Sequence, residues 1–577
     1  MKEFILRTGG KLNFWSMGLL REQHRLIIDS IILGVVGALS AQLFITLLRL
    51  AQLIFLKGIA GYTPLGLANE GSSITQIIGP HGLWLIPVAT TLGGLLSGIL
   101  VYSLAPEAEG HGTDTAVKAF HQSGGFIRTR VPFVKMIASA ITLGSGGAAG
   151  REGPTALISA GIGSIYGTFA KRPERERRLL VLIGEAAGLS AIFRSPIGTA
   201  VFATEVLYGN MEFEAGALIY TMVAAVVAYA VNGLFVGWSP LFQVSGPVSP
   251  PQFFEYFRFI LLGISAGVIA TLLPMVFYSV RDAFKALKIP PHLKPAIGGF
   301  VVGIIALELP GVLGGGYGWI QSAIDGKLSA VTMLLLSFGM ILALAMTISS
   351  GGSGGVFAPS LFVGGMLGGF LAQMLHQPVA PFVIVGMMAV FAGAARVPIA
   401  ALFLVTEMTG DYNLLAPAAL TVMVSYFVQA NLSSRLKYKS LYEAQVAFRA
   451  DSPAHHEEQL AAVLKLLREN RFSVTSSVSH VDLRMLIRSG IPVDLPDDLQ
   501  MVILSVQAGS PFLDQPLFPF FSLDGPDEVD LIAVFRHGHM ILPHRDLKIQ
   551  EGDRLLAIIS PKAAEHLAKY IVKQTSP

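Results

Sequence analysis

The chain predicts an all-α polytopic membrane protein followed by a small α/β domain, and three observations lead there. Of its 577 residues, 52% are hydrophobic and only 14% charged, with a mean hydropathy of +0.61. An average soluble protein is about 25% charged. Apolar runs long enough to cross roughly 30 Å of hydrocarbon recur through positions 26–433. From about Tyr438 the character changes to short strand-like stretches separated by Gly and Pro turns. A net charge of +3 is too small to argue for nucleic acid. With no cysteine there is no disulfide, thiol nucleophile or Cys-based metal site.

The first 25 residues carry Lys2, Glu3, Arg7, Lys11, Arg21, Glu22 and Arg25, and the apolar run begins only at Leu26. That order reads as a cytoplasmic amphipathic arm, residues 1–25, and not as a cleavable signal peptide. Long runs follow at 26–56, 83–104, 178–207, 215–236, 257–280, 295–308, 328–348 and 414–433. Shorter pieces near 132–143, 155–169, 359–376, 379–393 and 398–408 are interrupted or preceded by Gly and Pro. Such pieces predict discontinuous helices that line a site at the middle of the bilayer. Basic clusters at Arg128–Lys135, Lys171–Arg178, Arg281–Lys294 and Arg435–Lys439 are expected on the cytoplasmic side as solvated loops.

The membrane part divides at 247–252 into halves, 26–246 and 247–436, that repeat each other. Gly110-His111-Gly112 matches Gly316-Tyr317-Gly318, 206 positions on. Ser145-Gly146-Gly147 and Gly150 to Pro154 match Ser350-Gly351-Gly352 and Gly355 to Pro359, 205 positions on. The window 194–205 matches 396–407 with Arg, Pro, Ile, Thr and Glu coinciding. A repeat of this kind predicts two similar halves with a site at their interface. The residues leave the relative orientation of the halves open.

The stretch at the centre of this organisation is 144–163. A Gly-rich run leads through Gly150-Arg151-Glu152-Gly153-Pro154 into an apolar segment with helical spacing. Pro154 suits the first helical turn. The free N–H groups of that turn make an anion site. Glu152 is then an ionisable group at membrane depth, where such residues are functional by default.

Residues 437–577 form the expected second domain. It has a charged helix at 457–469, strands at 501–507, 529–535 and 554–559, and a further helix at 561–573.

GREGP at 150–154, GVFAP at 355–359 and the tyrosine of SLYEA at 440–444 resemble the CLC family of chloride channels and chloride/proton antiporters. The resemblance implies a homodimer with one pore per subunit and two inverted repeats. It places helix N-termini around a dehydrated chloride, the transported ligand, with no cofactor. Glu152 is implied as the gating glutamate, whose carboxylate competes with the anion. Gly110, His111, Gly112, Arg151, Gly355, Val356, Phe357, Ala358 and Tyr442 are implied around the anion. An integral multi-pass protein of a bacterial inner membrane, with both termini cytoplasmic, is expected.

Two departures stand out. His111 occupies the place of a family serine; its imidazole either donates to the anion or points aside while backbone N–H groups do the work. Val206 occupies the place of an inner proton-carrying glutamate, and an apolar side chain cannot relay a proton. The readings are therefore a chloride/proton exchanger or a passive chloride channel of the same fold. Glu205 and its repeat mate Glu407 are expected to hold helix ends. A fluoride-selective subtype fits Pro154 and Tyr442 less well.

The tail pattern Leu542 to Asp546 with Glu551 to Leu556 resembles the RCK C-terminal module over about 497–562. That implies either regulation through an unidentified small-molecule ligand or a dimer-stabilising cap that takes no ligand. A cation transporter gated by such a module lacks any TVGYG-like filter in this sequence. A membrane enzyme lacks an HExxH-type cluster.

Overall fold

The computed structural model describes residues 2–70, 72–244 and 252–455, and the strand segments 493–494, 500–506, 529–536, 539–541 and 547–559. The described helices follow one another in two sets of eight. The first set is α1 (Lys2–Gln52), α2 (Ile86–Leu104), α3 (Thr113–Gln122), α4 (Arg130–Gly144), α5 (Glu152–Phe169), α6 (Glu174–Phe193), α7 (Pro196–Glu205) and α8 (Ala215–Val236). A two-residue antiparallel ladder, β1 (Tyr62–Thr63) with β2 (Ile77–Ile78), closes the α1–α2 connection. The second set is α9 (Tyr256–Ala286), α10 (Lys294–Glu308), α11 (Tyr317–Ile324), α12 (Ala330–Ser349), α13 (Phe357–Met374), α14 (Val379–Ala395), α15 (Pro398–Thr409) and α16 (Leu415–Ser433). Among the described residues, seven helices are long and apolar enough to span a membrane.

The arm expected at 1–25 is continuous with the first span, in α1. The run at 178–207, expected as one long element, is two helices. Arg194 ends α6 in the left-handed region at φ 55° and Pro196 starts α7. Arg396 and Pro398 divide α14 from α15 in the same way, with φ 57° at Arg396. Both breaks are sites where helix ends lie inside the protein.

Close helix pairs are built on glycine in both halves. A β-carbon on Gly184 of α6 would lie 2.3 Å from the Ser159 carbonyl oxygen of α5. One on Gly386 of α14 would lie 2.3 Å from the Gly364 carbonyl oxygen of α13. Small residues at such crossings let backbones approach in a bilayer, where apolar burial between helices gives little drive.

The halves are inverted repeats, and their junction displays the symmetry. The equivalent residues Gly150 and Gly355 form an antiparallel bridge, each N–H donating to the other's carbonyl at 2.7 Å. A second reciprocal exchange joins the broken helices. The Glu205 carboxylate at the end of α7 accepts from the N–H groups of Ile399 (3.1 Å) and Ala400 (2.7 Å) in the first turn of α15. The Glu407 carboxylate in α15 accepts from Ile197 (3.2 Å), Gly198 (2.8 Å) and the Ser195 hydroxyl (2.6 Å) at the start of α7. Each acid satisfies orphan donors at the other half's helix start, which is the helix-holding role expected of both.

The basic clusters are not all solvated loops. Lys135 is fully buried on α4, its Nζ donating to the carbonyls of Ala108 (3.1 Å) and Gly110 (2.6 Å). Arg172 pairs with the buried Asp29 at 2.8 Å. These cations neutralise or satisfy groups that burial would otherwise leave unpaired.

The helical unit extends to Arg449. Leu441 and Tyr442 belong to its core.

The second unit holds an antiparallel sheet in the order β3 (Val493–Asp494), β4 (Gln500–Ser505), β7 (Arg554–Ile559), β5 (Val529–Arg536), β6 (His539–Ile541). The Glu551-Gly552-Asp553 pattern is the turn into β7. Gly552 takes φ 84°, and the buried Asp553 carboxylate accepts from Arg536 (2.9 and 2.8 Å) and from the Gln550 N–H (2.8 Å). The helices expected at 457–469 and 561–573, and the expected pattern residues 542–546, lie outside the described residues.

Candidate functional site

Three Gly-bearing loops meet at the junction of the halves. Gly110 donates to the Gly352 carbonyl (3.0 Å) and accepts from the Gly354 N–H (3.2 Å). Gly153 packs so closely that a β-carbon there would lie 2.2 Å from the His111 carbonyl oxygen and 2.8 Å from the α-carbon of Gly355. Gly112 takes φ 89°, a conformation that disfavours other residues. The starts of α3, α5 and α13 are thereby held together inside the membrane unit.

These bonds remove two of the expected donors. The N–H groups of Gly110 and Gly355 are occupied by Gly352 and Gly150, so neither is open to an anion. The donors left at the first turn of α13 are those of Val356, Phe357 and Ala358, the residues whose N–H groups a helix start leaves without intrahelical partners.

Glu152 sits at the start of α5 and is fully buried. Its Oε1 accepts from the Tyr317 hydroxyl on α11. Its Oε2 makes no hydrogen bond of ordinary geometry. It turns toward α13: a β-carbon on Gly150 would lie 2.2 Å from Oε2 and 3.0 Å from the Ala358 nitrogen. The carboxylate therefore occupies space beside a helix start that favours negative charge.

Arg151, expected against the anion, is committed elsewhere. Its guanidinium grips Glu70 through Nη1 (3.1 Å) and Nη2 (2.6 Å) and lies over the Tyr317 ring at 4.8 Å. Its Nε is 3.7 Å from the Glu152 carboxylate. Glu70, Arg151, Tyr317 and Glu152 form one chain of contacts, with Arg151 and Glu152 buried and the other two partly so. A cavity of about 340 Å³ opens beside it, lined by Arg49, Lys57, Glu70, Arg151 and Tyr317 among others.

Tyr442 lies at the other end of the site. It is 2% exposed, its ring 6.4 Å from Phe202 and 5.4 Å from the His111 ring. Its hydroxyl makes no hydrogen bond of ordinary geometry and has Thr113 as its polar neighbour. Phe357 closes the group, its ring 4.5 Å from Phe193 and 3.9 Å from Phe391.

His111 has one nitrogen engaged and one unpartnered. Nε2 is 3.1 Å from Asp114, and the buried Nδ1 has no partner. Asp114 also accepts from the N–H groups of Glu443 (3.2 Å) and Ala444 (3.1 Å), which fixes the Tyr442 loop on α3.

Sequence reasoning missed Tyr317, Glu70 and Asp114 as parts of this site. Tyr317 carried a signal, since it is the repeat mate of His111. Glu70 carried none, because its connection to Arg151 is made by the fold alone.

Comparison with known proteins agrees with this architecture. Residues 93–430 match the family described as voltage gated chloride channel, and residues 501–572 match the TrkA-C domain. The voltage-gated ClC-type chloride channel ClcB of Salmonella dublin is 30% identical over 74% of this chain and 99% of its own length. The H(+)/Cl(-) exchange transporter ClcA of Salmonella paratyphi A is 30% identical over 64% of this chain and 81% of its own. A slow cyanobacterial Cl-/H+ antiporter has a similar fold, with a TM-score of 0.62 and 24% identity over 71% of this chain and 95% of its own. So does a CLC-type fluoride/proton antiporter, with a TM-score of 0.62 and 21% identity over 74% and 99%.

Proposed function

The chain belongs to the voltage gated chloride channel family, and from that premise we propose that it exchanges chloride for protons through a path governed by Glu152. The observation that carries the reading is the buried Glu152 carboxylate turned toward the start of α13. A dehydrated anion needs donors without a trapping full charge, and the N–H groups of Val356, Phe357 and Ala358 supply them. The ionised Glu152 side chain competes with chloride for that space. Once protonated it loses the attraction and yields to the anion. Alternation between the two couples their movements. Tyr442 closes the opposite side, where its free hydroxyl donates to the central anion, and His111 offers Nδ1 beside it.

A passive chloride channel of the same fold is the second reading. It is favoured by Val206, a fully buried apolar residue at the expected inner proton position. The active form is proposed to be a homodimer in a bacterial inner membrane, with both termini cytoplasmic and a small-molecule ligand on the TrkA-C domain.

Reconstituted vesicles separate the readings. In the exchanger a chloride gradient drives uphill proton movement; in the channel it drives none. Glu152→Gln is expected to abolish proton movement while chloride still crosses. Proton coupling equal to wild type in that variant would remove Glu152 from this role.

A further inference from the structure

Glu185 lies in the middle of α6 and is fully buried, and neither of its carboxylate oxygens has a hydrogen-bond partner. An acid in this state is costly to retain. Titratable groups on the neighbouring helices are engaged. On the helices packed against α6, Asp29 of α1 pairs with Arg172, and Glu152 of α5 accepts from Tyr317. Asp114 of α3 contacts His111, and Glu205 of α7 holds the start of α15. His121 of α3 contacts the Leu207 carbonyl, and Tyr229 of α8 donates to the Trp238 carbonyl.

The position of Glu185 is informative. Leu182, Leu189 and Phe193 share its helix face by their spacing. All three belong to the core that contains Phe202, Phe357 and Tyr442. Phe193 touches Phe357 directly. Tyr442 lies within electrostatic reach of both Glu185 and Glu152. The start of α6 follows the basic segment Lys171–Arg172, the cytoplasmic end by the charge rule.

We propose that Glu185 is the inner proton relay of this chain, replacing the carboxylate that Val206 does not provide. Its carboxylate takes a proton from cytoplasmic water, leaving hydroxide or a neutralised hydronium there. It then gives that proton to the Glu152 carboxylate, through water, and returns to its ionised form. Nothing else is consumed. The inference rests on the exchanger reading.

The experiment measures chloride and proton fluxes together in proteoliposomes made with the full chain, driven by a chloride gradient. Wild type must first move protons uphill; failure there overturns the exchanger reading, and the relay with it. With coupling established, Glu185→Gln is expected to lower proton flux at least tenfold while chloride flux remains measurable, and Glu185→Asp to restore coupling. Wild-type coupling in Glu185→Gln would overturn the relay and leave the exchanger reading intact. Should the Gln variant fail to fold, Glu185→Met, of similar length, is judged by the same two fluxes. A third arm adds Val206→Glu to the Glu185 variant; renewed proton flux identifies the loss as one of relay rather than of packing.

Discussion

At the scale of single residues, the Glu152 end of the site depends on Tyr317 and Glu70. The Tyr317 hydroxyl is the hydrogen-bond donor that holds the Glu152 side chain, and a bond to an ionised group contributes about 1.5–3 kcal/mol. Tyr317→Phe should therefore release the carboxylate more often and raise chloride turnover severalfold, read as the initial rate of efflux from vesicles. Glu70 acts on Arg151. Burial alone would raise the Glu70 carboxyl, but the ion pair and hydrogen bonds from Arg151 outweigh it and hold the group below its ordinary value. A carboxyl lowered on folding stabilises the protein above its unfolded value and stops doing so as pH falls through the folded one. Glu70→Ala should cost about 3 kcal/mol at neutral pH, because it strips a buried guanidinium of both its carboxylate hydrogen bonds. The difference in melting temperature from wild type should vanish in strong acid, where the wild-type Glu70 carboxylate is itself protonated and the ion pair is lost. The residues at this scale were unevenly legible. Glu152 and Tyr442 announce themselves by their surroundings in sequence. Glu185 does not, since one acid in an apolar run reads like any helix residue until its lack of partners is seen.

At the scale of elements, the broken helices decide the geometry. Glu205 and Glu407 each cap a helix from the opposite half, so each holds the inverted pair together and fixes where α7 and α15 begin. Removing either side chain leaves two or more N–H groups without a partner. Glu205→Ala and Glu407→Ala should each lower stability by about 1–3 kcal/mol, measured by thermal unfolding in detergent. Neither should alter the ratio of chloride to protons, because neither acid is free to carry a proton. A changed ratio in Glu205→Ala would return the inner relay to the α7 end. Much of this architecture was legible: the repeated Pro and Glu at a near-constant offset predicted paired elements. The break at Arg194 was not, because a hydropathy run averages over it. The local signal was there in Arg194-Ser195-Pro196, where a helix must stop before proline. The inversion was also hidden, since a repeat in sequence is the same whether the second copy points up or down. The reciprocal bonds of Gly150 and Gly355 relate the two copies by a local two-fold, and the likeness to solved CLC folds gives its sense.

At the scale of the whole molecule, the residues of the proposed anion path lie in the unit that ends at Arg449. Tyr442 is the last of them, and it is held by contacts within that unit: Asp114 fixes its loop, Leu441 donates to the Ala394 carbonyl at 2.8 Å, and the Tyr278 hydroxyl bonds the Leu441 carbonyl at 2.8 Å. On the proposed reading, none of the described path residues comes from the sheet domain. A chain ended after Arg449 should insert, fold and carry chloride at a rate within about threefold of the full chain, with the same proton coupling. Truncation before Tyr438 should not do so, because it removes Tyr442 and the segment that packs on α3 and α9. If the shortened chain that keeps Tyr442 were inactive yet monodisperse, the sheet domain would have to be part of the working pore rather than an attachment to it. If it were active but insensitive to solutes that change flux in the full chain, those solutes would be acting through residues 450–577. Flux measured on the two lengths side by side, with a panel of small metabolites, distinguishes an appended regulator from an essential part.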